Sequence, residues 1–247
     1  MKSMFRWLVL LVLAFVALQL FFVARIASMA VLAPQSTAFQ RAEAWRIVNE
    51  KGALPWRQEW VNYSQISDHL KRAVIASEDD GFSNHDGVDW DALEKAWAKN
   101  AKAEERAERR KPSANAPAAA TVRPPKVVGG STITQQLAKN LFLSGERTLL
   151  RKGQEFVLTF LLETFLSKQR ILEIYLNSVE WGDGVFGAEA AAQHYFRKPA
   201  SKLSPFEAAR LAVMLPRPKF FEKVPNSAYL SGRAGVITGR MGDAQLP

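Results

Sequence analysis

Arg151-Lys152-Gly153-Gln154-Glu155-Phe156-Val157-Leu158-Thr159-Phe160-Leu161-Leu162-Glu163-Thr164-Phe165-Leu166 is the stretch on which the fold turns. It reads as a helix apolar nearly all round, interrupted only by Glu155, Thr159 and Glu163, and a helix hydrophobic on every side belongs in the middle of a domain. Arg151 and Glu155 stand four apart and share a face, with Lys152 beside them. A carboxylate held among Phe156, Val157, Leu158, Phe160, Leu161 and Leu162 needs a partner or a raised pKa. Glu155 is therefore expected to line a cleft rather than a solvated stripe.

Outward from this helix the chain stays helical. Thr132-Ile133-Thr134-Gln135 is a capping box behind Gly129 and Gly130, opening a helix with Ile133, Leu137 and Leu141 on one face and Gln135, Gln136 and Lys139 around the other. Ser204-Pro205-Phe206-Glu207 starts another, with cap, first-turn proline and capping-box acid in order. Ile66, Leu70, Ala73, Val74 and Ser77 recur at helical spacing behind a Ser67 cap. No alternating strand pattern of convincing length is present, so the fold class is mainly α. Gly182-Asp183-Gly184-Val185-Phe186-Gly187 matches a dinucleotide fingerprint, but Arg170 to Asn177 before it has helical periodicity, so it reads as a tight turn.

The 247 residues, 48% hydrophobic, suffice for one sizeable core. The absence of cysteine excludes disulfides, thiolate metal sites and a thiol nucleophile. Net charge +9 favours polyanions without choosing among them. The uncharged run Trp7 to Ala24, resuming as Ile26 to Ala33, is long enough to span a bilayer, and Lys2 and Arg6 before it place the N-terminus in the cytoplasm. A cleaved signal peptide, with Ser28-Met29-Ala30 as its site, is the competing reading, and both export the domain. The expected division is a tail 1–6, an anchor 7–32 and an exported domain 33–247. Aromatics between Pro34 and Ser64, among them Phe39, Trp45, Trp56, Trp60 and Tyr63, fit either the head-group level or core packing. Lys95 to Lys111 is a charged helical run leading into an Ala/Pro-rich insert over 102–126. Its acids interleave with its bases and Trp97 is its one aromatic, which argues against nucleic acid.

Two constellations could carry chemistry. Glu78 opens Glu78-Asp79-Asp80 directly after an apolar helix, where the helix C-terminus disfavours an ionised carboxylate. Its pKa is expected to rise, as a proton-transfer catalyst requires, although an exposed acidic helix end stopped by Gly81 fits these residues equally. Lys139, Arg147, Arg151 and Lys152 lie on consecutive elements and would converge on a polyanion such as pyrophosphate if the two helices pack together. His69, His85 and His194 are too dispersed for a zinc site, and His85 near Asp79 and Asp86 is expected to order its loop.

These residues resemble the glycosyltransferase family 51 peptidoglycan polymerases, in particular the monofunctional biosynthetic transglycosylases of Gram-negative bacteria. The resemblance rests on Glu78-Asp79-x-x-Phe82-x-x-His85-x-Gly87, on Gly129 to Asn140, on Arg151-Lys152-x-x-Glu155 and on Arg170 to Asn177, in that order along the chain. It implies a lysozyme-like helical domain with a small membrane-proximal jaw, at the bacterial inner membrane, polymerising lipid II into β-1,4-linked glycan with release of undecaprenyl diphosphate. By the same resemblance Glu78 is the general base. Glu155 assists departure of the pyrophosphate, directly or through a divalent cation such as Mg2+ or Mn2+. Lys139, Arg147, Arg151 and Lys152 hold phosphates, and Ser131, Gln135 and Gln136 line the path of the substrate. Other cell-wall synthases are implied as partners. Gly153 and Thr159 depart from the family's usual central helix, and the 102–126 insert is longer than usual. A glycoside hydrolase with two carboxylates and a silent scaffold are the alternatives; a hydrolase has no use for the cation cluster.

Overall fold

The computed structural model describes residues 2–109, 130–143, 145–146 and 148–247. Arg147 and residues 110–126 of the expected insert lie outside the described residues, while 102–109 continue a helix. In chain order the elements are α1 (Lys2–Ser28), α2 (Ala38–Lys51), β1 (Arg57–Gln58), α3 (Asp68–Glu78), α4 (Trp90–Arg109), α5 (Ile133–Phe142) and α6 (Leu149–Phe165). They continue with α7 (Lys168–Ser178), β2 (Glu180–Gly182), β3 (Val185–Phe186), α8 (Ala188–Phe196), α9 (Pro205–Met214), α10 (Pro218–Lys223) and α11 (Ala228–Arg240).

The caps explain where several helices begin. Ser67 Oγ accepts from the His69 amide, and the boxes at Thr132 and Ser204 are closed in both directions. Each satisfies amides that the first helical turn leaves without a carbonyl. The helix at the centre is α7, buried from Ile171 to Ser178. Around it α5 packs on α6 and α7, and α3 packs on α9 and α11. Tyr175, Trp181, Phe82 and Phe186 are the bulkiest fully enclosed side chains.

α6 departs from the expectation that it would occupy the middle of the domain. Glu155, Leu158, Thr159 and Leu162 are buried, but Val157 and Phe160 are 46% and 45% exposed, and Leu149 and Leu150 stand almost free. Hydrophobicity on all sides arises here because one face meets the core and the other borders α1, the one described helix long and apolar enough to cross a membrane. Packing against a core and packing beside an apolar helix both select apolar side chains, so the sequence pattern does not separate the two environments.

The sheet is small, in the order β1-β3-β2, with β1 and β3 parallel and β2 and β3 antiparallel. Gly184 makes the turn at φ 85°, and a Cβ there would lie 2.2 Å from the Pro55 carbonyl oxygen. The glycine-rich segment is thus a tight turn, as read from the sequence. Aromatics of the 34–64 segment divide: Trp56 stacks on Phe186 at 4.4 Å and Phe39 meets the same ring, whereas Trp45 is 71% exposed.

Candidate active site

Glu78 is the last residue of α3, and its neighbour Asp79 nails that helix end to the rest of the site. Asp79 Oδ2 accepts from the Ile133 amide at the start of α5 at 2.9 Å, and its Oδ1 lies 2.8 Å from His85 Nε2. The Gly87 amide donates to His85 Nδ1 at 3.2 Å, so the ring proton sits on Nε2 and His85 donates to Asp79. The loop is closed further by Thr132 Oγ1 donating to the Gly87 carbonyl at 2.6 Å and by Lys168 Nζ donating to the His85 carbonyl at 2.5 Å. Gly87 has φ 84°, and a Cβ would meet Thr159 and Glu163 at 2.7 and 2.8 Å. His85 orders the loop, as expected.

Burial is the largest influence on Glu78, and it raises the carboxyl above its ordinary pKa, with the nearby Asp79 charge adding to the rise. Hydrogen bonds from Gln136 and Ser77 pull in the opposite direction. The direction is the one the sequence suggests, but desolvation rather than the helix terminus is the leading cause. Gln136 Nε2 donates to Glu78 Oε2 at 3.1 Å, while Tyr175 Oη donates to Gln136 Oε1 at 2.9 Å. Burial first, then the charges of Glu78 and Asp79, push the Tyr175 hydroxyl well up, so it remains a donor. That donation fixes which end of the Gln136 amide faces the carboxylate. Tyr175 escapes a reading of the sequence because it falls on the apolar face of α7, where an aromatic is expected.

Two adjoining cavities meet at Ser131. One, of about 300 Å³, holds Glu78, Asp79, Asp80, Lys95, Lys99 and Arg240 on its walls. The other, of about 510 Å³, brings together Ser131, Gln135, Gln136, Lys139, Arg151, Lys152 and Glu155. Of the residues singled out in the sequence, these seven share one cavity and Glu78 stands in the next, bridged to it by the Gln136 amide. Glu155 is 3% exposed. Its Oε2 accepts from Arg151 Nη1 at 3.0 Å and its Oε1 from Lys152 Nζ at 2.5 Å. Arg151 Nε is buried without a hydrogen-bond partner. Gln135 is committed partly to structure, since its Oε1 accepts from the Thr132 amide at 3.1 Å.

Glu180 lies on the far wall of the larger cavity and carries no signal in the sequence beyond being an acid before a tryptophan. Burial pushes its carboxyl up to about 7, against the pull of Lys219, whose Nζ stands 3.4 Å from Oε1. Glu180 groups with Glu43 and Asp183 as an acidic cluster. Arg46, Lys51 and Lys219 neutralise that cluster by ion pairs to Asp183 and Glu43.

A helical domain whose groove sets a desolvated carboxylate beside a cation-lined chamber suits an enzyme of the glycosyltransferase class. The chain belongs to the transglycosylase family, whose model matches residues 47–109 and 112–242, and with it to the glycosyltransferases of lysozyme-like fold. It is 55% identical over 234 residues to the biosynthetic peptidoglycan transglycosylase of Burkholderia thailandensis, covering 95% of this chain and 84% of that protein. The Burkholderia pseudomallei protein of the same name is 53% identical over the same shares. That of Herminiimonas arsenicoxydans is 49% identical over all of this chain and 99% of its own length.

Proposed function

We propose that the protein polymerises lipid II into β-1,4-linked peptidoglycan glycan, with the growing strand as donor and undecaprenyl diphosphate as leaving group. The observation that carries this reading is the bridge from Glu78 through Gln136 to the chamber holding Lys139, Arg151 and Lys152. As the 4-hydroxyl of the incoming lipid II attacks the donor's anomeric carbon with inversion, its proton passes to Glu78. The bond from that carbon to the pyrophosphate breaks, and the negative charge develops among the cations of the larger cavity. Arg147 belongs to this set by resemblance.

Glu155 acts by orientation. With one oxygen on Arg151 and the other on Lys152, it holds both cations toward the leaving group. The same engagement bears on a divalent cation: a single carboxylate already neutralised on both oxygens is a poor donor set for an all-protein ion site. Mg2+ or Mn2+, implied by the family resemblance alone, would be shared between Glu155 and the phosphates of the substrate, where it would offset the charge of the leaving group. Ser131 and Gln136, at the meeting of the cavities, suit the sugar and phosphate path.

The apolar α1 fits a single-pass anchor. Lys2 and Arg6 before it support a cytoplasmic N-terminus, with the domain on the periplasmic face of the inner membrane, where lipid II and other cell-wall synthases would be its partners. Incubating the detergent-solubilised protein with lipid II tests the reading. Long strands from the wild type, lost in Glu78→Gln and Glu155→Gln, are expected; fragments released from preformed wall would identify a hydrolase instead.

A further inference from the structure

We propose that α1 is a brace of the active site as well as an anchor: Gln19 clasps Gln154 of α6 and Phe22 closes on Phe142 of α5, fixing the two helices that carry the groove's cations. Gln19 and Phe22 are then positioning residues for the glycosyl transfer, an inference that rests on the function proposed above.

Between Arg6 and Arg25, Gln19 is the one polar side chain. An amide in an apolar span is costly unless its donor and acceptor are both matched. Here they are matched by one partner. Gln19 Nε2 donates to Gln154 Oε1 at 3.3 Å, and Gln154 Nε2 donates back to Gln19 Oε1 at 3.2 Å. Gln154 immediately precedes Glu155, so the pair grips the same turn that presents Arg151, Lys152 and Glu155 to the cavity.

The rest of the contact follows the same stripe of α1. Phe22, Ile26 and Met29 are 9%, 0% and 2% exposed and belong to the hydrophobic core, whereas the large apolar side chains from Met4 to Leu18 are all exposed. Phe22 meets Phe142 edge to face at 5.4 Å, and Phe142 ends α5 one turn after Lys139. The Met29 carbonyl accepts from Arg170 Nε at 2.8 Å, which ties the end of α1 to the start of α7. The helix thus touches both sides of the connection that runs from Lys139 to Arg151. A simple tether needs no fixed rotation about its own axis. This helix has one, set by a two-way hydrogen bond and an aromatic contact.

The test uses the full chain in phospholipid vesicles supplied with lipid II, comparing Gln19→Leu, Gln154→Leu and the double variant. Each single change is expected to lower kcat between about threefold and about fifteenfold, the range that interhelical side-chain hydrogen bonds in membranes support, while KM for lipid II stays within about twofold. The double variant should be no slower than either single one. Losses that add, or no loss at all, would overturn the brace. So would a loss matched by an equal fall in the folded fraction, which marks a merely structural pair.

Because the chain has no cysteine, Gln19→Cys with Gln154→Cys can be bridged by a short bis-maleimide without competing thiols. Bridging should occur in high yield and return kcat toward the wild-type value. Failure to bridge, or a bridged protein that stays slow, contradicts the proposal. A wild type that makes no glycan instead refutes the proposed function and the positioning role with it, while the bridging yield, read on a gel, still reports whether α1 is seated.

Discussion

At the residue scale, the proposed proton transfer is assigned to one desolvated carboxylate, Glu78, with a fixed amide beside it. Glu78→Gln keeps the size and the Gln136 contact but cannot take a proton, so lipid II polymerisation should fall by about 10² to 10⁴ with an unchanged melting curve. Tyr175→Phe separates positioning from basicity. Without the Tyr175 hydroxyl the Gln136 amide is free to turn, and Glu78 loses a bond that lowers its pKa. The acid limb of the kcat/KM profile, which burial of Glu78 shifts upward, should then move to still higher pH. A profile identical to the wild type would contradict the relay. Glu180 supplies a stability test. Burial holds its folded pKa at about 7, above the ordinary 4.5 of a glutamate, so between these values the folded chain binds the extra proton and stability falls as pH rises. Glu180→Gln removes that penalty, and its melting temperature relative to the wild type should rise from pH 4.5 to pH 8, corresponding to on the order of 2 kcal/mol.

At the element scale, what was legible in the sequence was local. Ser67, Thr132 and Ser204 announce helix starts because a cap is decided within four residues, and the Arg151–Glu155 spacing announces its own ion pair. The Lys152–Glu155 pair, three apart on the same helix, is equally local, whereas the Tyr175–Gln136–Glu78 relay depends on how helices dock, which periodicity does not encode. The strands were invisible for a different reason: runs of two or three residues cannot show alternation, and they exist because Gly184 lets the turn approach Pro55. Two glycines make this measurable in opposite directions. Gly184→Ala forces a positive φ and a sub-contact approach to a carbonyl, so thermal or urea unfolding should report a loss of more than about 2 kcal/mol. Gly153→Ala meets no atom within 4 Å inside α6, and should stabilise the helix by about 0.5–1 kcal/mol without lowering turnover.

At the scale of the whole molecule, apolar surface continues from α1 onto the outer face of α6. Leu149 and Leu150 are 93% and 89% exposed, immediately before Arg151 and Lys152, whose charges line the larger cavity. In water, two bare leucines beside two cations would be an unprofitable arrangement. At a membrane surface it is consistent, because the leucines can enter the acyl boundary while the cations stay at the level of lipid phosphates. A substrate carried on a lipid tail would then reach the groove without leaving the bilayer. Replacing both leucines by serine should therefore leave the fold and the α1 anchor intact yet raise KM for lipid II in vesicles by roughly tenfold, the effect of about 1.4 kcal/mol of lost apolar burial. The comparison that decides it is the same pair of proteins in detergent micelles: there substrate and enzyme share a small apolar particle, and the difference in KM should shrink. An equal KM in vesicles for the wild type and the serine variant would mean that this face of α6 does not meet lipid.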